Sequence, residues 1–255
     1  MKKILYIWLT SFALSASAQS ELSPYLFHSS FEQTSFSSAN PIQIMLAANP
    51  NVDSIKYSQY MADFQIHLAK LKKKTGERTT VQTLEKVFYF NHRRKLSWYN
   101  NDVILSDLFE SGKYDCLTGT AFYAATLEEL GIPYQIYEFN YHVFLVASCD
   151  DGQVMIEPTD PLEGFVTDRE EIKARIHKYS QDEAMTPGMQ TVSNIISLND
   201  LAGLQYYNMS VDSYNHRKYA DAFNYIQKAN FLYPSTRIKE IQRVFKNQVR
   251  LVSSN

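Results

Sequence analysis

Apolar residues recur at helical spacing over most of the chain, and this pattern predicts its main elements. In residues 53–74 the apolar positions fall three or four apart, as on the buried face of a helix, and Gly76 follows as a stop. Other segments with a helical pattern lie at residues 80–92, 106–110, 117–130, 168–179, 204–215, 219–232 and 235–251. Helices are therefore expected on both sides of the middle of the chain.

Short apolar runs in the middle of the chain predict β-strands. They cover residues 132–137, 142–148 and 153–156, lengths that suit strands better than helices. The Asp151-Gly152 pair separates the last two runs, and Asp-Gly between apolar runs is a strong hairpin signal. A helix backed by a small antiparallel sheet, with helices before and after it, predicts an α+β fold.

The first residues show the three parts of a secretory signal. Two lysines precede an apolar stretch at residues 4–14, and Ala16-Ser17-Ala18 supplies a small-residue cleavage site. We therefore expect a signal peptide over residues 1–18 and an exported protein, periplasmic or secreted. The alternative is an uncleaved N-terminal anchor, although the stretch is short for a membrane span. No apolar run of membrane-spanning length follows residue 18.

The remaining chain divides into a main domain over residues 19–190 and a helical region over residues 200–255. Residues 19–50 are rich in Ser, Asn and Pro, so we expect a loosely ordered lead-in there. The helix pair at residues 204–232 resembles one tetratricopeptide repeat. Because one unit cannot bury a repeat core, the pair either packs on the main domain or presents a surface to a protein partner.

Composition narrows the classes of function. The chain has 255 residues and a formal net charge of −2, and it lacks the basic stripe expected of a nucleic-acid-binding protein. It contains no His-Glu-x-x-His, no paired Cys-x-x-Cys, no acidic calcium loop and no glycine-rich phosphate loop. We expect no metal, no cofactor and no nucleic-acid partner.

Residue types that suit thiol catalysis occur in the order Cys116, His142, Glu157. Cys116 opens the helix at residues 117–130, where the partial positive charge favours a thiolate and free N–H groups can receive an oxyanion. His142 opens a predicted core strand and can serve as the base. Glu157 ends the strand that pairs with it, and can orient the imidazole.

Alternatives to this assignment stay open. Asp160 rivals Glu157 because the hairpin register is uncertain by one residue. Cys116 and Cys149 could form a disulfide in an oxidising compartment, which would make the chain a scaffold. Cys149 is otherwise expected to be a passive thiol at the end of a strand. His142 could also be a histidine without a catalytic role.

Residues 112–164 resemble the bacterial transglutaminase-like (papain-like cysteine) superfamily. The motifs are Cys116 at a helix start, the turn Leu130-Gly131-Ile132-Pro133 at the helix end, His142 on a strand, and Glu157-Pro158-Thr159. The superfamily usually has Asp-Pro-Thr at the last position and an Ala-Trp pair after the His, where this chain has Val143-Phe144-Leu145. The latter variant is similar to transglutaminase-like proteins that also carry tetratricopeptide repeats.

The resemblance implies a papain/transglutaminase-like core in the main domain and a catalytic triad of Cys116, His142 and Glu157. It implies attack on amide bonds of a peptide or protein substrate through a Cys thioester, followed by hydrolysis or by acyl transfer to an amine. The alternative function is a non-catalytic binding module or scaffold that uses the C-terminal helices for a protein partner.

Overall fold

The computed structural model describes residues 22–38, 40–76, 78–182 and 192–253. The predicted signal peptide lies outside these residues, as does most of the polar segment that follows residue 182. The described chain is α+β, as predicted. Its helices are α1 Ser30–Ser38, α2 Pro41–Ala47, α3 Ser54–Thr75, α4 Val81–Arg94, α5 Leu105–Ser111, α6 Cys116–Glu129, α7 Arg169–Asp182, α8 Leu198–Asn215, α9 Tyr219–Leu232 and α10 Thr236–Ser253. Its strands are β1 Trp98–Tyr99, β2 Lys113–Tyr114, β3 Tyr134–Phe139, β4 Val143–Cys149, β5 Gly152–Ile156, β6 Phe165–Val166 and β7 Ser193–Ile196.

Five strands form one antiparallel sheet in the order β6-β5-β4-β3-β7. The predicted hairpin is confirmed, since Cys149 pairs with Gly152 and leaves Asp150 and Asp151 as the two-residue turn between β4 and β5. The turn is fixed to the start of α4. The Asp151 carboxylate accepts a hydrogen bond from the Val81 N–H at 2.7 Å. This register determines which residues of β4 and β5 share a face of the sheet.

Helix α6 lies at the centre of the fold and is buried over nearly all of its length. It packs on β4, and other faces contact α5 and α8. Before the exposed Glu128 and Glu129 at its end, its sequence is apolar or small on every side, as expected of a helix surrounded by protein. The Cys116 end of α6 is therefore held at a fixed position relative to the sheet.

The prediction of a loosely ordered lead-in over residues 19–50 is wrong for the part that the structure describes, because α1 and α2 are ordered helices there. Asn40 and Pro41 belong to the start of α2. The Asn40 side chain accepts a hydrogen bond from the Gln43 N–H, and Pro41 occupies the first turn, where no backbone donor is needed. The apolar run Ile42–Ala48 is buried in the main core except for Gln43. Residue types that suggested a loop were helix-capping residues.

The C-terminal helices pack on the main domain and share one hydrophobic core with it. This core contains Leu201 and Tyr206 of α8, Ile226 of α9 and Ile238 of α10, together with residues of α6 and the sheet. Helix α8 begins six residues earlier than predicted, because Ser197 and Asp200 form a capping box. Strand β7, which the sequence analysis did not predict, joins the sheet beside β3.

Candidate active site

Cys116 is the first residue of α6, and the helix start is held by a capping box. The Asp115 carboxylate accepts hydrogen bonds from the N–H and the hydroxyl of Thr118, both at 2.7 Å. The Thr118 hydroxyl oxygen in turn accepts the Asp115 N–H at 2.9 Å. Both capping residues are buried. Cys116, which is partly exposed as a residue, is therefore held at a capped helix N-terminus.

His142 lies beside both Cys116 and Glu157, and both side chains act on the charge of its imidazole. Its Nε2 contacts the Glu157 Oε2, so the ring nitrogen that remains for the sulfur is Nδ1. Burial by itself lowers the pKa of His142, but hydrogen bonds to Cys116 and Glu157 and the charges of both groups outweigh it and raise the pKa to about 10. The imidazole is therefore held in its protonated form beside the sulfur.

Glu157 and Asp160, the two candidates for the third position, have different partners. The Glu157 side chain is buried, and its Oε1 accepts the Thr159 hydroxyl at 2.6 Å and the Thr159 N–H at 3.1 Å. Its other oxygen is thereby left for His142. Asp160 instead accepts the N–H groups of Leu162 and Glu163, at 3.1 and 2.8 Å, and so stabilises its own turn. The structure thus brings Glu157, and not Asp160, to the imidazole.

Gly119 allows the segment that carries Glu157 to lie against α6. A Cβ at this position would stand 2.7 Å from the Cβ of Pro158, closer than packed carbons approach. The sequence analysis did not identify this contact. The sequence feature that could have indicated this contact is a glycine within the predicted helix together with a proline next to a candidate catalytic residue. The close approach fixes the distance between the start of α6 and the end of β5.

Tyr179 of α7 covers the imidazole and is another site residue that the sequence analysis missed. Its ring stacks on His142 with a centroid distance of 4.8 Å and an interplanar angle of 27°. Burial raises the pKa of Tyr179, so the phenol stays neutral. The available signal was helical spacing, since Ile172, Ile176 and Tyr179 lie on one face of α7 and pack on the same part of the sheet.

A cleft of about 360 Å³ opens beside Cys116 and His142. One wall is the start of α6 and the turn between β3 and β4, and the opposite wall is α8 with Arg237 of α10. A second cavity of about 340 Å³ adjoins it, because both are lined by Asp102, Asn208 and Asp212. The C-terminal helical region therefore forms part of the candidate site, which its sequence did not indicate.

Cys149 is separate from this site. It ends β4, whereas His142 immediately precedes that strand, and seven residues of extended chain span about 20 Å. Both cysteines are free, and the Cys149 thiol contacts the Asp151 carboxylate at 3.3 Å. A bridge to Cys116 would require Cα atoms within about 7 Å. The structure thus contains no Cys116–Cys149 disulfide.

Two further features are absent from the described residues. No group of three or more His, Cys, Asp or Glu side chains in these ranges is arranged to hold a metal ion. None of the described helices has both the length and the apolar character needed to span a bilayer.

Comparisons with protein-family models, curated proteins and solved structures gave no match to this chain. The resemblance to the transglutaminase-like superfamily therefore stays a prediction from the motifs. The geometry of Cys116, His142 and Glu157 and the cleft beside them are the features of the structure that indicate a function.

Proposed function

We propose that the protein is an exported thiol enzyme of transglutaminase-like type that acts on amide bonds of peptides or proteins. The observation that supports this proposal is that Cys116 and Glu157 both lie beside the His142 imidazole, next to an open cleft. A thiol, an imidazole and a carboxylate in this order supply the nucleophile, the acid-base group and the group that orients it. A papain/transglutaminase-like core over the main domain is part of the same proposal.

In the first half-reaction the Cys116 thiolate attacks the amide carbonyl carbon, and a C–S bond forms while an electron pair moves to the oxygen. The backbone N–H of Cys116 is suited to stabilise that oxygen, because the first N–H groups of a helix have no partner within the helix. When the intermediate collapses, the C–N bond breaks and protonated His142 gives its proton to the departing amine. A thioester on Cys116 remains.

In the second half-reaction neutral His142 takes a proton from water or from a second amine as that molecule attacks the thioester carbon. The C–S bond breaks, and the thiolate–imidazolium pair is restored. Water gives hydrolysis and an amine gives acyl transfer. Glu157 keeps the ring oriented and stabilises its positive charge in both steps, while Thr159 holds the carboxylate in place.

The cleft supports a peptide or protein substrate. It is open to solvent, and with the adjoining cavity it forms a groove along α8 that can receive an extended chain.

The N-terminal sequence supports export, so we place the substrate outside the cytoplasm. Analysis of the N-terminus of protein recovered from the producing cell should show Gln19 as the first residue.

Alkylation of the purified protein by iodoacetamide at pH 6 tests the proposal, with Cys149 as the internal control. Peptide mass spectrometry measures modification of both cysteines in one sample. An activated Cys116 should react at least about tenfold faster than Cys149, because a thiolate and not a thiol is the nucleophile. His142→Ala should remove the difference. Equal rates in the unaltered protein would show that Cys116 is not activated and would favour the non-catalytic binding module.

A further inference from the structure

The turn that carries His142 is attached to the C-terminal helices by Arg237. This turn joins β3 to β4 and is closed by a hydrogen bond from the Phe139 N–H to the His142 carbonyl at 2.8 Å. The Arg237 guanidinium donates one bond to the Asn140 carbonyl at 2.9 Å and another to the Glu138 carboxylate at 2.7 Å. It therefore holds the residues on both sides of Phe139, and the second of them lies two residues before His142.

Glu138 gives this attachment its rigidity. It is 1% exposed, and its Oε2 accepts the Tyr233 hydroxyl at 2.6 Å and the Asn194 side-chain amide at 3.0 Å. Its Oε1 accepts the bond from Arg237. The three side-chain partners of Glu138 therefore all lie beyond residue 190, where the predicted main domain ends. A buried carboxylate that loses such partners is strongly destabilised. The ordered end of β3 thus depends on the segment from β7 to α10.

The guanidinium also belongs to the wall of the candidate cleft. It lies over the Tyr207 ring of α8, 4.9 Å from the centroid, and it lines the same cavity as Cys116 and His142. The side chain is only 20% exposed. Arginine stacked on an aromatic ring with two anchored N–H groups has little rotational freedom.

We propose that Arg237 is a positioning residue, which holds the His142 imidazole at the Cys116 sulfur by fixing the turn to the C-terminal helices. This inference rests on the proposed thiol chemistry. It assigns the C-terminal region a part in the reaction that differs from partner binding. A displacement of about 1 Å at a reacting group costs up to about a hundredfold in rate, so the contacts on Glu138 and Asn140 matter for function even where the fold survives.

The test compares Arg237→Met, Arg237→Lys and Tyr233→Phe with the control Arg243→Met, which alters an exposed arginine of the same helix. The readout is the rate of Cys116 alkylation by iodoacetamide from pH 5 to pH 9, which needs no substrate. Arg237→Met should lower the rate at pH 6 by about tenfold or more and shift the profile towards that of an ordinary thiol. Arg237→Lys should react faster than Arg237→Met but more slowly than the unaltered protein. Lysine can reach one acceptor, but it cannot hold Asn140 and Glu138 together as the two guanidinium nitrogens do.

The outcomes separate this inference from the proposed function. If Cys116 in the unaltered protein reacts as an ordinary thiol, the proposed function and this inference both fail. If the unaltered protein is activated but Arg237→Met keeps its profile, only the positioning role is overturned. Should Arg237→Met fail to fold, Tyr233→Phe decides, since it removes a single hydroxyl from Glu138. A normal profile in that variant overturns the inference, and a reduced rate at pH 6 supports it.

Discussion

At the scale of single residues, the site depends on how His142 is surrounded. Its ring contacts Glu157 and lies beside Cys116, and Tyr179 covers one face. Because the pKa of His142 is raised to about 10 in the folded protein, its protonation stabilises the fold. This stabilisation is complete below pH 6.5, the ordinary pKa of histidine, and it is lost as pH rises through about 10. The same protonation is needed for proton transfer to the departing amine.

Replacing Glu157 should harm the reaction far more than replacing Asp160. Glu157→Gln removes the negative charge at His142, and the comparable change in a serine protease triad lowers kcat by about 10⁴. Because Glu157 helps to raise the pKa of His142, the alkaline loss of activity should also move from about pH 10 towards neutrality. Asp160→Asn is the matched control, since its side-chain oxygen can still accept the turn N–H groups. Measured pH–rate profiles in which Asp160→Asn shows the larger loss would move the third role to Asp160.

At the scale of elements, the site depends on the contact between α6 and the segment after β5. Gly119 and Pro158 approach so closely that no side chain fits between them. The strands position the carboxylate, the helix positions the sulfur, and this contact sets the separation of the two. The arrangement needs the correct hairpin register, which is fixed by the pairing of β4 with β5 and by the attachment of the turn to α4.

Gly119→Ala should reduce Cys116 reactivity, because the added Cβ would push the segment carrying Glu157 away from α6. Overpacking of this kind costs about 1–3 kcal/mol, and alanine returns about 1 kcal/mol through its better helix propensity. The free energy of unfolding should therefore change modestly, whereas the rate of iodoacetamide alkylation at pH 6 should fall clearly. Urea denaturation and alkylation of the same preparation measure both quantities. An unchanged alkylation rate would show that the contact does not position the site.

At the scale of the whole molecule, the two ends of the described chain are joined in one core. Glu32 of α1 and Lys228 of α9 form a buried ion pair at 2.6 Å, and the Tyr206 hydroxyl donates to the same carboxylate at 2.8 Å. Lys228 is 1% exposed and also lies over the ring of Tyr225. The N-terminal helices, which the sequence analysis expected to be a loosely ordered lead-in, thus support the helices that form a wall of the cleft.

Lys228→Met should destabilise the protein by about 3–5 kcal/mol, because it leaves the Glu32 carboxylate buried without its cation. The matched control is Lys173→Met, which breaks the exposed pair between Lys173 and Glu170 and should cost less than about 1 kcal/mol. The double variant Glu32→Gln with Lys228→Met should recover much of the loss, since no buried charge then remains. Urea unfolding curves give these free energies. A loss for Lys228→Met as small as that of the control would contradict the role given to the pair.

The sequence by itself determined the local features: α6 with Cys116 at its start, the β4–β5 hairpin, and the order of thiol, imidazole and carboxylate. Such features are specified by residues a few positions apart, so spacing and residue type suffice to predict them. Only the tertiary structure decided which carboxylate meets His142, because a shift of one residue in the hairpin reverses the faces of the strand. It also brought Tyr179 to the His142 ring, and α8 and Arg237 to the cleft, through contacts between residues far apart in the chain. Helical spacing can place Tyr179 on the buried face of α7, but no local pattern shows which element that face meets, since this depends on how complete elements pack.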